Sequence, residues 1–356
     1  MGLAVPRKTA ITARQNKLAM MSNFDKRRSD YDVSNYVQVS DPTAVATAVQ
    51  KIYADLYPQA ALEPLRKAFA DFTRMYRGED PRFHGCETTY HDLQHSLDVT
   101  LALARHIDGY ERAHKASQRL GPKRAAVGII TALYHDVGYL RSVRDRRHQH
   151  GAEYTLTHVS RGGEFLGDYL GTLGLGSEAL VASRMIHFTG YERNINTIRL
   201  GDDLYTRLGH LLGTADLTAQ MADRCYLEKC RDRLYNEFVM GGMARRTLPS
   251  GQVVVIYSSP RDLLTKTPDF YAKTLRDRLD GTFAGAYRYA ANHFGGDNLY
   301  MESVHHNMQH LDRVLRSNDW DLLRRTPPCF TADYLRSQAS AAACNPKASV
   351  AHAQRA

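Results

Sequence analysis

Cysteine is scarce and unpatterned in this chain of 356 residues. The five that occur, Cys86, Cys225, Cys230, Cys329 and Cys344, are an odd number at irregular spacing with no CxxC pair. That excludes a secreted disulfide framework and a zinc ribbon, and makes a reducing cytoplasm the expected location. No run approaches about 18 uninterrupted apolar residues. The N-terminus MGLAVPRKTAITARQNK also lacks the apolar stretch of a signal peptide. The protein is therefore read as soluble, without a membrane partner. An N-myristoylation signal is excluded because Pro6 stands where Ser or Thr is needed after Gly2. Internal repeats of solenoid period are missing too.

Strand signals are almost as rare. Only Gln252 to Tyr257, with its VVVI run between Pro249-Ser250-Gly251 and Ser258-Ser259-Pro260, reads as extended chain, one half of a small hairpin near 250–258. Elsewhere apolar residues recur at three and four positions, as in Val45, Val49, Ile52, Tyr53, Leu56 and again in Leu65, Phe69, Phe72, Met75, Tyr76. That period is the mark of amphipathic helices. Further helices are expected over 88–108, 123–137, 151–172, 177–188, 202–239, 262–292 and 297–317, giving an all-α, multi-helix bundle. The helical domain spans 40–325. It is flanked by a basic, polar tail over 1–39 and a small-residue tail over 326–356, both expected to be disordered because they are too poor in large apolar side chains to build a core.

Lys and Arg number 47 against 38 Asp and Glu, a net charge of +9, and 43% of residues are apolar. A chain of this length and composition buries a sizeable core and is neither disordered nor fibrous. The positive balance admits an anionic partner. The basic N-terminal arm is read as solvated, with contact to nucleic acid or acidic lipid as the alternative. Because the basic residues lack interleaved aromatics, nucleic acid is not the expected ligand.

Three segments concentrate chemistry. In Tyr90-His91-Asp92-Leu93-Gln94-His95-Ser96-Leu97-Asp98-Val99, helical geometry brings His91, His95 and Asp98 within about 60° of one another. In Tyr134-His135-Asp136-Val137-Gly138-Tyr139, an apolar helix delivers a His-Asp doublet at its C-terminal end. Buried groups of this kind are costly unless a cation binds neutral imidazole and ionised carboxylate together. In Leu211-Leu212-Gly213-Thr214-Ala215-Asp216-Leu217, a lone Asp follows a third apolar stretch. His95, His135, Asp136 and Asp216 thus offer two nitrogens and two carboxylates from separate helices. That set suits Zn, Mn, Fe or Mg, one or two ions, rather than calcium.

These residues resemble the HD superfamily of metal-dependent phosphohydrolases, with its His, its His-Asp doublet and its distant Asp. The first segment is also similar to the catalytic core of cyclic-nucleotide phosphodiesterases, whose Tyr-His-Asn-x-x-His-x-x-Asp-Val is matched from Tyr90 to Val99 with Asp92 in place of Asn. The resemblance covers Thr88 to Asp223. It implies an HD-like helical domain in which His95, His135, Asp136 and Asp216 hold the metal, Asp136 bridges a second ion, and His91 is the general acid. The reaction implied is hydrolysis of a phosphodiester by a metal-activated water, with a small anionic phosphoester as partner. Tyr139 departs from both the phosphodiesterases, which place a second His there, and the five-prime-nucleotidase relatives, which place a Glu. The Gly-Tyr-Pro segment of cyclic-di-GMP hydrolases is absent.

His150 and His187 stand where some HD proteins add ligands, and each also reads as a helix-terminal His. Arg184, and the run Arg141, Arg144, Arg146 and Arg147 behind the doublet, are candidates for phosphate contact or for a solvated face. His305, His306 and His310 read as solvated. Two other functions remain open at this level: a nucleotide phosphomonoesterase or triphosphohydrolase of the same superfamily, and a non-catalytic nucleotide sensor.

Overall fold

The computed structural model describes residues 26–344. Of the structure, 65% is helix and 3% strand, so the chain is all-α. The helices in chain order are α1 (Pro42–Leu56), α2 (Glu63–Tyr76), α3 (Leu93–Ala113), α4 (Gly121–Leu133), α5 (His158–Tyr169), α6 (Ala179–Met185) and α7 (Asp203–Ala222). They continue as α8 (Tyr226–Lys229), α9 (Tyr235–Met240), α10 (Pro260–Lys273), α11 (Tyr289–Phe294), α12 (Leu299–Ser317) and α13 (Ala332–Cys344).

The core is organised around α3, which is buried on every side from Leu93 to Glu111 and packs against α1, α4, α7 and α11. A helix wrapped in this way needs small residues where neighbours come close. Gly109 is one: a Cβ there would stand 1.8 Å from the carbonyl oxygen of Tyr289. The α3 helix starts later than the periodicity suggests. Asp92 is its N-cap, accepting a hydrogen bond from His95 N at 3.1 Å. His91 therefore lies in the turn before the helix and not on a shared helical face with His95 and Asp98.

The long helix expected over 202–239 is interrupted. It stops at Ala222, where Asp223 turns the chain and accepts from Cys225 N at 2.7 Å. It resumes through α8, a π-helical segment Cys230–Leu234, and α9. The expected strand pairs with a partner as a two-stranded antiparallel hairpin, β1 (Arg245–Thr247) with β2 (Val253–Val255), and all six residues are exposed.

The flanking segments are more ordered than their composition suggests. Residues 1–25 of the expected N-terminal tail lie outside the described residues. In the remainder, Asp32 is completely buried and takes hydrogen bonds from Val37 N (2.7 Å), Tyr36 N (2.9 Å) and Arg105 Nη2 of α3 (2.6 Å). At the other end, Phe330 N donates to Asp92 Oδ2 at 3.0 Å and Ala332 N to Cys86 O at 2.8 Å. Cys86, Cys225 and Cys230 are buried free thiols. Among the described residues, no helix is long and apolar enough to cross a membrane.

Candidate metal centre

Three helices deliver the four expected ligands to one point. His95 lies in the first turn of α3, His135 and Asp136 directly follow α4, and Asp216 lies in the second half of α7. All four are at least nine-tenths buried. The His95 and His135 Nε2 atoms face each other at 3.3 Å. Asp136 Oδ2 lies 3.1 Å from His135 Nε2 and 3.5 Å from His95 Nε2, and Asp216 Oδ1 lies 3.8 and 3.5 Å from the same atoms.

Spacings of this size are what ligand atoms adopt about 2.1 Å from one shared cation. Despite those short approaches, Asp136 Oδ2 receives no hydrogen bond. A buried carboxylate oxygen without a donor is costly, and a cation on that point removes the cost. The donor set therefore fits a divalent ion, and His95, His135 and Asp216 form a buried group able to hold one.

Electrostatics agree with the geometry. Burial works against charge on both partners of the doublet, yet the Asp136 carboxylate raises His135 to about 9, and the His135 charge holds Asp136 far below the usual carboxylate range. The His135 Nδ1–H donates to Ala132 O at 2.8 Å, which turns Nε2 toward the centre.

His91 stands beside this group without joining it. Its Nδ1 meets Glu237 Oε2 at 2.6 Å, while Glu237 Oε1 accepts from Tyr90 N at 2.5 Å. Glu237 is fully buried on α9. Burial lowers the His91 pKa, but the Glu237 carboxylate outweighs it, and the imidazole is held above its ordinary value. Asp92 is the sequence neighbour that could have filled this role. It is occupied instead by capping α3 and by Phe330 N.

Two residues of the centre had not been singled out in the sequence. Glu237 is one, and its signal is weak: a Glu at an otherwise apolar helical position, which requires a partner. His158 is the other. Its Nε2 lies 3.6 Å from Asp136 Oδ1, the carboxylate oxygen turned away from His95. Its ring stacks on Tyr139 (centroids 4.2 Å, 17°), and Tyr139 stacks in turn on His91 (4.8 Å, 20°). The two imidazoles also face each other directly (centroids 6.2 Å, 36°), so the three rings form a cluster at the edge of the centre. No local pattern marks His158; it arrives because α5 is clamped onto the doublet turn. Arg161 Nε and Nη2 donate to Gly138 O (2.8 Å) and Leu140 O (3.1 Å).

His187 is buried with an unpartnered Nδ1, and burial followed by the Arg193 charge lowers its pKa. His150 caps a short 3-10 turn, its Nδ1 accepting from Ala152 N at 3.1 Å. Arg184 is exposed and donates to Arg199 O. Arg141 pairs with Glu87 at 2.7 Å, while Arg144, Arg146 and Arg147 are exposed. His305 is exposed, and His306 and His310 are half-buried along α12.

Compared with family models, curated proteins and solved structures, the chain matches none.

Proposed function

We propose that this chain is a metal-dependent phosphohydrolase of the HD type that cleaves a phosphodiester. The observation that carries the reading is the closed ring of His95, His135, Asp136 and Asp216, with a donorless Asp136 oxygen in it and a separately held His91 at its edge. A cation sensor would need the ring alone. A hydrolase needs a proton donor next to it, and the buried Glu237 carboxylate, which raises the His91 pKa as well as accepting from Tyr90 N, makes His91 a candidate for that donor.

A divalent ion in the ring would neutralise the anionic phosphoryl oxygens and acidify a water to serve as nucleophile. His95, His135 and Asp216 would hold it with Asp136 Oδ2. Asp136 Oδ1 and His158 would supply ligands to a second ion. His91 is oriented by Glu237 through Nδ1, which leaves Nε2 free to donate its proton to the departing alkoxide as the phosphorus–oxygen bond breaks. The products are a phosphomonoester and an alcohol. Glu237 stabilises the imidazolium before transfer without itself taking the proton.

The test is hydrolysis of bis-p-nitrophenyl phosphate and p-nitrophenyl phosphate by protein stripped of metal and resupplied with Mn, Mg, Zn or Fe(II). Preferential, metal-dependent cleavage of the diester supports the reading. Cleavage of the monoester alone would replace it with a phosphomonoesterase.

A further inference from the structure

The β1–β2 hairpin has no part in the metal centre, and its exposure is unusual. A strand turns alternate side chains to opposite faces, yet Val253, Val254 and Val255 are 55%, 40% and 51% exposed, so neither face of the ribbon packs on the helices. A two-stranded hairpin with both faces in water is marginal by itself. The segment Gln252-Val253-Val254-Val255-Ile256 carries no charge, Pro or Gly, a composition that favours pairing with a further strand.

Hydrogen bonds at the two ends of the ribbon fix which backbone groups face outward. Leu248 N donates to Gln252 O and Ile256 N to Ala244 O, both at 2.9 Å, and the register sets Arg246 opposite Val254. Bonded and non-bonded pairs alternate along an antiparallel ladder. Arg246 and Val254 are therefore a bonded pair, and the N–H and C=O groups of Val253 and Val255 point to the open edge of β2. Among the described residues no third strand covers that edge. The other edge, on β1, carries Arg245 and Arg246, so pairing it with its own copy would set Arg246 against Arg246. The β2 edge has no charge, and of the two it alone is self-complementary.

We propose that β2 pairs antiparallel with β2 of a second copy of this chain, across a two-fold axis at Val254, joining the two hairpins into one sheet. Val253 then exchanges both backbone hydrogen bonds with the second copy's Val255, and Val255 with its Val253, so every outward group of these residues is satisfied. Val254 faces its own counterpart in a non-bonded pair, about 4.5 Å apart at Cα, where side chains approach most closely. The arginines stay on the outer strands, about 14 Å apart across three strand spacings and beyond the Debye length of about 8 Å. Because each copy offers one such edge, the assembly closes as a dimer and does not grow into a fibre. The proposal is independent of the phosphohydrolase reading.

The experiment combines sedimentation velocity with oxidative cross-linking of the full chain. The interface is small beside the about 1,600 Å² of a standard one, so a Kd in the micromolar range is expected, and wild type should be largely dimeric at about 100 μM. Val254→Lys sets like charges at the closest cross-strand position and should be monomeric at that concentration, with an unchanged far-UV circular dichroism spectrum because the side chain is exposed. Val254→Cys should form a linked dimer on mild oxidation, since about 4.5 Å between Cα atoms is within disulfide reach. Val253→Cys lies diagonally from its counterpart at about 7–8 Å and should link no more than wild type, whose own thiols set the background. A wild type that stays monomeric at that concentration overturns the proposal and leaves the edge to a strand of another protein. A dimer that persists in Val254→Lys, or linking in Val254→Cys no greater than in Val253→Cys, overturns it as well.

Discussion

In the proposed hydrolase the residue that distinguishes it from a metal-binding bundle is His91, which is held from far away in the chain by Glu237. The carboxylate raises the imidazole pKa above its ordinary value against the opposing effect of burial. A general acid is active while protonated, so kcat should fall as pH rises through the His91 pKa. Glu237→Gln keeps an acceptor for Tyr90 N but removes the charge and presents an amide N–H to His91 Nδ1, which favours the neutral ring. Its basic limb should move to lower pH in a pH–rate profile, while metal content stays unchanged. An unmoved limb would show that another group donates the proton. Of this pair, the sequence made His91 visible through its short-range spacing to His95. Glu237 was not visible, because 146 residues separate the partners and only the π-helical offset before α9 determines which side chain turns inward.

At the level of elements, the centre depends on how closely α5 seats on the turn after α4. A Cβ on Gly138 would lie 1.8 Å from the His158 carbonyl oxygen and 2.9 Å from Gly162 N, both backbone atoms that no rotamer change can move. Gly138→Ala should therefore cost about 1–3 kcal/mol or more in urea unfolding and weaken metal binding as α5 and His158 withdraw. Gly167→Ala in the same helix is the control. Nothing lies within 4 Å of its Cβ, and the substitution should stabilise by about 0.5–1 kcal/mol. If Gly138→Ala left stability and metal affinity unchanged, the clamping of α5 would not matter. The helices themselves were legible from apolar period. The start of α3 was not, because the periodicity runs on through Asp92, whose side chain caps the helix and so leaves His91 outside it. His158 stayed hidden because a backbone-to-backbone approach at two glycines leaves no periodic trace.

Over the whole molecule, the segment from residue 28 to Val39 shows why composition underestimates a tail. It has few apolar side chains to bury, yet it is fastened to the central helix by Asp32, which the neighbouring backbone N–H groups and Arg105 surround. Burial disfavours the Asp32 carboxylate, but the Arg105 charge and the hydrogen bonds from Ser34 and Val37 lower its pKa all the same. Arg105 in turn donates to Tyr300 OH at 3.1 Å, tying the segment to α12. Asp32→Ala leaves a buried guanidinium without its partner and should cost about 3–5 kcal/mol, read as a lowered midpoint in chemical denaturation. A change within about 0.5 kcal/mol, typical of surface sites, would contradict this account of the fold's N-terminal edge. Buried charge pairs of this kind carry no hydrophobic period, so they escape any reading based on apolar spacing, whereas the ligand set did not escape because imidazole and carboxylate within otherwise apolar stretches are conspicuous.

The central claim is that the ring of His95, His135, Asp136 and Asp216 holds the cation while His91 serves only the chemistry. It is tested most directly by measuring bound metal and diester turnover together in wild type, His91→Ala and Asp136→Ala. His91→Ala should retain its metal and lose about 10²–10⁴-fold in kcat, while Asp136→Ala should lose both metal and turnover. Equal loss of metal in the two variants, or full turnover in His91→Ala, would contradict the division of roles.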